Sequence, residues 1–134
     1  MATRISVAAR NAAVNAIAAL LNGGTVEIRT GSQPSSPASA DSGTLLVSIP
    51  LANPAFQSAA NGSAALAGAP RSGTAVAAGT AGHARFKNSS AQAVMDVSVS
   101  DPNGNGELKL DNVNIANSQQ VNIISFSLSQ PIGG

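Results

Sequence analysis

The sequence predicts an all-β domain with an N-terminal helix, a jelly-roll-like or immunoglobulin-like β-sandwich of about eight strands formed by residues 1–134 as one unit. Three observations carry this reading. The large apolar residues near the start recur at helical spacing, the spacing turns to alternation after residue 24, and the alternating runs are short and punctuated by Gly, Pro, Asn and Ser.

Residues 1–24 read as a tail and a helix. Val7, Val14, Ile17 and Leu21 fall on one stripe, which predicts a helix over residues 6–21 with that stripe buried. Thr3 or Ser6 can cap its start, and Asn22-Gly23-Gly24 can end it. A basic start before an apolar stretch also suits a signal peptide, but Asn11 and Asn15 interrupt the apolar run. No stretch approaches the roughly 20 apolar residues of a membrane span.

Val26 and Ile28 alternate with Thr25, Glu27 and Arg29 in the first strand. Residues 31–43 have neither period nor large apolar side chains, which predicts an exposed loop or arm. A strand follows over residues 44–51, and Asn53-Pro54-Ala55-Phe56 reads as a turn that sets one aromatic against the core. Residues 64–69 and 74–78 read as weak, alanine-rich strands holding Leu66 and Val76, on either side of a turn at residues 69–73. Ala84 and Phe86 then alternate with His83, Arg85 and Lys87, which predicts a buried face and a solvated, cationic one. Met95, Val97 and Val99 alternate in the same way with Val94, Asp96 and Ser98. Residues 101–106 read as a hairpin turn, after which Leu108 and Leu110 point inward and Lys109 outward. In the last strand the alternation slips at Ile123-Ile124, which predicts a β-bulge or a change of sheet.

Composition excludes several functions. The 134 residues carry seven basic and six acidic side chains, a net charge of +1, and only three aromatics, Phe56, Phe86 and Phe126. Such a chain lacks the stacking platforms and positive field of a nucleic-acid binder and the Trp or Tyr of a typical sugar site. It has no cysteine, hence no disulfide, thiolate nucleophile or Cys-type zinc site. Alanine accounts for 26 residues, so the core is thin for the length of the chain.

Motifs that carry chemistry are few. His83 is the only histidine, with Asp96 the nearest acid beyond its strand, and no G-x-S-x-G elbow or phosphate-binding loop occurs. Asp101-x-Asn103-x-Asn105-Gly106 matches the start of a calcium loop, but its twelfth position is Asn112 instead of glutamate, so a plain turn is the better reading. Asn61-Gly62-Ser63 and Asn88-Ser89-Ser90 fit the glycosylation sequon and read as turns. The expectation is a protein that is not an enzyme, with no catalytic residues, metal ligands or cofactor, and no nucleic acid, membrane or small-molecule substrate as partner.

The segments GGTVEIRTGSQP, GTLLVSIPLANPAF, AANGSAALAG, GTAGHARFKN, AVMDVSVS and GELKLDNVNIANSQQVNIISFSLSQP follow the alanine-rich helix. With that helix they make residues 5–131 resemble a group of small virion structural proteins of tailed bacteriophages; His83 stands where an aromatic is often found. The resemblance implies a structural protein of the phage head surface, made in the host bacterial cytoplasm, that decorates and cements the capsid by bridging major capsid subunits. A homotrimer is the simplest assembly. A tail-fibre or tail-tip protein, a receptor- or glycan-binding sandwich, is the alternative, and a small hydrolase is the weakest rival. The arm over residues 31–43, with Gln33, Pro34 and Pro37, and the tail with Arg4 and Ile5 are the segments expected to reach the partner, with Arg4, Arg10 and Arg29 pairing with its acids.

Overall fold

The computed structural model describes residues 4–68 and 71–129. The Thr3 cap, the rest of the tail before Arg4, the first two residues of the turn expected at 69–73 and everything after Ser129 lie outside the described residues. Helix α1 (Val7–Leu20) starts where Ser6 accepts a hydrogen bond from the Ala9 N–H, and Gly23 follows it with φ 71°. Val14, Ala18 and Leu21 are buried and Ile17 is half-buried, but Val7 is 49% exposed, so the apolar stripe covers only the later turns of the helix. Polar bonds also seat α1. Asn11 and Asn15, one turn apart on one face, accept from the Gly62 and Ala59 N–H groups, and Asn22 accepts from Ala55.

Strands β1 (Thr25–Thr30), β2 (Leu45–Pro50), β5 (Gly79–Lys87) and β6 (Ala93–Ser100) are where the alternation places them. The main sheet runs β2-β1-β5-β6-β7-β9-β4, with β7 at Leu108–Leu110, β9 at Gln120–Ser125 and β4 at Arg71–Thr74, while β8 (Asn114–Ile115) pairs with the start of β5. The two ends of that order meet, because β4 lies against β2. The Val76 N–H donates to the Leu46 carbonyl and Arg71 donates twice to the Pro50 carbonyl. Gly73 permits the approach, since a Cβ there would lie 2.9 Å from the Ser48 carbonyl oxygen. The result is a mostly β, nearly closed, barrel-like sandwich with one N-terminal helix. A second sheet of β3 (Ser63–Ala65) and β10 (Ser127–Ser129) sits beside α1.

The core gathers Val26, Ile28, Leu46, Ile49, Ala84, Phe86, Leu108, Leu110, Val121 and Ile123. The three phenylalanines meet there, with ring centroids 4.9 Å apart for Phe86–Phe126, 5.9 Å for Phe56–Phe126 and 6.4 Å for Phe56–Phe86. The slip at Ile123-Ile124 marks both a bulge and a change of sheet. Lys109 and Leu110 pair with Ser125 and Ile123, leaving Ile124 unpaired and 42% exposed, and Phe126 turns the chain into β10.

Two other expectations fail for identifiable reasons. Residues 74–78 are not a strand: the chain pairs earlier, at Arg71–Thr74, and Val76 is 64% exposed on a bend beyond it. Residues 101–106 do not close a hairpin either, because β7 runs parallel to β6 through Val99↔Leu108 and Ser100↔Lys109. Side chains make the short return possible. Ser100 accepts from the Gly106 N–H, Ser98 accepts from the Glu107 N–H, and Lys109 donates to the Gly104 carbonyl. The Asp101 carboxylate accepts from the Asn103 N–H, and farther on Asp111 accepts from the backbone and side chain of Asn122.

Candidate functional site: a loop clamped over a charged sheet face

The outer face of β1, β5 and β6 is set by register. Glu27, Arg85 and Asp96 stand in one cross-strand row, and Arg29, His83 and Ser98 in the next. Alternation makes these residues share a face and predicts that it is solvated. Here the sequence reading is overturned, because Arg85 and His83 are each only 1% exposed.

The cover is the loop of residues 31–43. It joins β1 to β2, its neck closed by the Thr30 N–H bond to the Thr44 carbonyl and by the Thr30 hydroxyl, which accepts from the Thr44 N–H. Instead of reaching outward as an arm, it folds back over β5. Gly82 lets it cross, since any Cβ there would overlap the Gly31 carbonyl. That carbonyl accepts a bond of 3.0 Å from His83 Nδ1; a carbonyl only accepts, so Nδ1 carries the proton. His83 Nε2 is buried without a hydrogen-bond partner among the described residues. His83 is therefore a support under the loop, and Asp96 serves Arg85 instead of the histidine.

Arg85 is the centre of the clamp. Its Nε and Nη2 donate to the two oxygens of Asp96 at 2.8 and 3.1 Å, Nη1 donates to the Ser39 carbonyl and Asp41 at 2.8 and 2.9 Å, and Nη2 also donates to the Ser36 carbonyl at 3.3 Å. These five bonds match the five donors of a guanidinium. Asp41 in turn takes Lys87 at 2.9 Å and Arg29 at 3.2 Å, and both of those cations also hold Glu27. Three cations and three anions balance, which is what lets the network be covered.

The electrostatic consequences follow the contacts. The bond from Lys87 does most to hold the Asp41 carboxyl below its ordinary value, with Arg85 and the nearby charges of Lys87 and Arg29 adding to it against the opposing effect of burial. The bond to Asp96 raises the already high Arg85 value further. Burial pulls the Lys87 ammonium down, yet Asp41 and Glu27 together outweigh it and raise the value.

The partner residues expected from the sequence divide between two elements. Arg4, Ile5 and Arg10 belong to α1 and its approach, and Arg10 donates to the Asn61 carbonyl of its own chain. Arg29 is committed to Glu27 and Asp41, so it does not offer a charge to a partner. Gln33 and Pro37 are exposed on the loop and Pro34 is half-buried. Glu27, Asp41, Arg85, Lys87 and Asp96 were absent from that expectation. Charges of both signs at matched positions on adjoining strands were the signal for most of them.

Apart from Asp41, whose side chain is 36% exposed, the exposed side chains of the loop are uncharged, among them Ser32, Gln33, Ser35, Pro37, Ala38 and Ala40. Among the described residues no group of three or more His, Cys, Asp or Glu is placed to hold a metal ion, and no helix is long and apolar enough to cross a membrane. Comparisons with protein-family models, curated proteins and solved structures return no match for this chain.

Proposed function

We propose that this chain is a structural virion protein of a tailed bacteriophage, which decorates and cements the outside of the capsid by bridging neighbouring major capsid subunits as a homotrimer. The observation that carries this reading is the clamped loop. A loop this long without secondary structure is usually either functional or disordered. This one is held by an ion network whose central pair, Arg85 and Asp96, is buried; apolar replacement of a buried pair often leaves stability unchanged, so we read the network as fixing the shape of the loop. A surface ordered in advance loses less freedom when a partner binds. Its exposed Ser, Ala and Pro side chains suit a contact made by backbone and apolar atoms, with little side-chain entropy to lose at those positions. The resemblance of residues 5–131 to phage virion proteins supplies the class of partner.

The test uses particles that lack the protein. They should assemble but release DNA at a lower temperature than wild type, and added protein should restore the wild-type temperature. Changing Gln33 and Pro37 to Glu, which leaves the ion network intact, should abolish the rescue. Unchanged thermal release without the protein would reject cementing, and labelling on the tail alone would favour the adhesion alternative.

A further inference from the structure

Among the described residues the barrel wall has an open seam between β6 and β9. Strand β6 pairs with β5 from Ala93 to Ser98, but among the described residues its other edge meets β7 only at Val99 and Ser100. On the far side β9 ends at Ser125, and β10 has gone to pair with β3. Between them lies a cleft of about 610 Å³ whose apolar lining is Met95, Val97, Phe126 and Leu128, with Glu107 and Lys109 also along it. An uncovered strand edge is a template for another strand, and an apolar strip beside it selects alternate side chains of that strand.

Charge identifies the strand that fits. The chain has seven basic residues, and six of them donate to the acceptors described above; Arg4, which is exposed, has no partner among the described residues. Of the six acids, the other five have their carboxylates bonded, and Glu107 alone has a carboxylate without a partner among the described residues. Among the described side chains the unmatched cation is followed directly by Ile5, and the unmatched anion lines an apolar cleft. Successive residues of an extended segment point to opposite sides, so Ile5 can face the apolar strip while Arg4 stays at the wetter margin.

We propose that the segment holding Arg4 and Ile5 from a second copy of this chain enters the seam as an added strand along β6. Ile5 packs against Met95, Val97, Phe126 and Leu128, and Arg4 pairs with Glu107. Among the described residues of one chain Arg4 is exposed, Ile5 is half-buried and Arg4 forms no ion pair with Glu107, so the exchange moves Ile5 from its own chain to the seam of another copy. Each copy offers one tail and one seam, so the exchange is head-to-tail and builds an oligomer of more than one chain. This inference does not depend on the capsid reading.

Two measurements test it. In the first, sedimentation equilibrium of the full chain should give a mass above that of one chain. Arg4→Glu or Glu107→Arg alone should weaken self-association by about tenfold, since each replaces an exposed pair by like charges, and the two together should restore it. A single-chain mass for the wild type, or an oligomer indifferent to both reversals, would overturn the proposal. The second exploits the absence of cysteine. Ile5→Cys and Met95→Cys chains of different mass, mixed and oxidised, should form a covalent heterodimer faster than Ile5→Cys mixed with Ser32→Cys. Equal rates would overturn it as well.

Discussion

Arg85 on β5 and Asp96 on β6 face each other in register and join through two parallel bonds of 2.8 and 3.1 Å, with side chains only 1% and 3% exposed. The pair is the floor on which residues 31–43 are fixed. Removing one partner leaves a covered charge without its counterion, so Asp96→Ala should destabilise the fold by about 3–5 kcal/mol in urea unfolding. Arg85→Met with Asp96→Leu should stay within about 2 kcal/mol of wild type, because a well-packed apolar pair commonly replaces a buried ion pair without loss. The same double variant should be cut faster within residues 31–43 by a broad-specificity protease. Undiminished protection would show that the loop is held by something other than Arg85.

Acid should loosen the same loop. The Asp41 carboxyl is held below its ordinary value of 3.8 in the folded chain, so its contribution to stability is fully present above that value. It is lost as pH falls from 3.8 through the lower folded value. Amide exchange across residues 31–43 should therefore be flat at neutral pH and gain openings below about pH 4, apart from the chemical pH dependence of exchange. Asp41→Asn should flatten this acid limb. An acid limb unchanged by that substitution would assign the titration to other carboxylates.

The helix should depend on its asparagines. Asn11→Ala leaves the half-hidden Gly62 N–H bond of 2.7 Å unmade, and Asn15→Ala does the same for Ala59. Asn11→Ala should cost about 1–2 kcal/mol in thermal or denaturant unfolding, and Asn15→Ala, whose bond is exposed, about 0.5–1 kcal/mol. A surface-like effect, within about 0.5 kcal/mol, would show that apolar packing of Val14, Ala18 and Leu21 suffices.

The aromatic cluster should be the most sensitive part of a thin core. Phe126 touches both other rings and is 3% exposed, so Phe126→Ala should cost about 3–5 kcal/mol by denaturant unfolding. A loss under about 1 kcal/mol would mean that the alanine-rich surroundings collapse into the space.

Alternation made the inner face legible. Val26, Ile28, Ala84, Phe86 and Val97 share it in the sequence and are all buried. The outer face was half legible: period two assigns Arg85 and His83 to one side but does not say what covers that side. The cover comes from Ser36, Ser39 and Asp41, 44 to 49 positions away from Arg85, in a segment with no period to read. The parallel course of β7 was hidden for a related reason. Only two of its residues pair with β6, and the return is made by Ser98, Ser100 and Lys109, not by turn residues alone. Asn11 and Asn15 were visible as interruptions in an apolar helix, while their acceptor role required the position of residues 59–62.

The most direct test of the functional account is a three-dimensional reconstruction of the purified particle that carries this chain. The account predicts density for the chain at symmetric lattice positions on the outside of the head, with residues 31–43 against a capsid subunit. Density at a fibre or tail tip, or lattice density with that loop facing solvent, would contradict it.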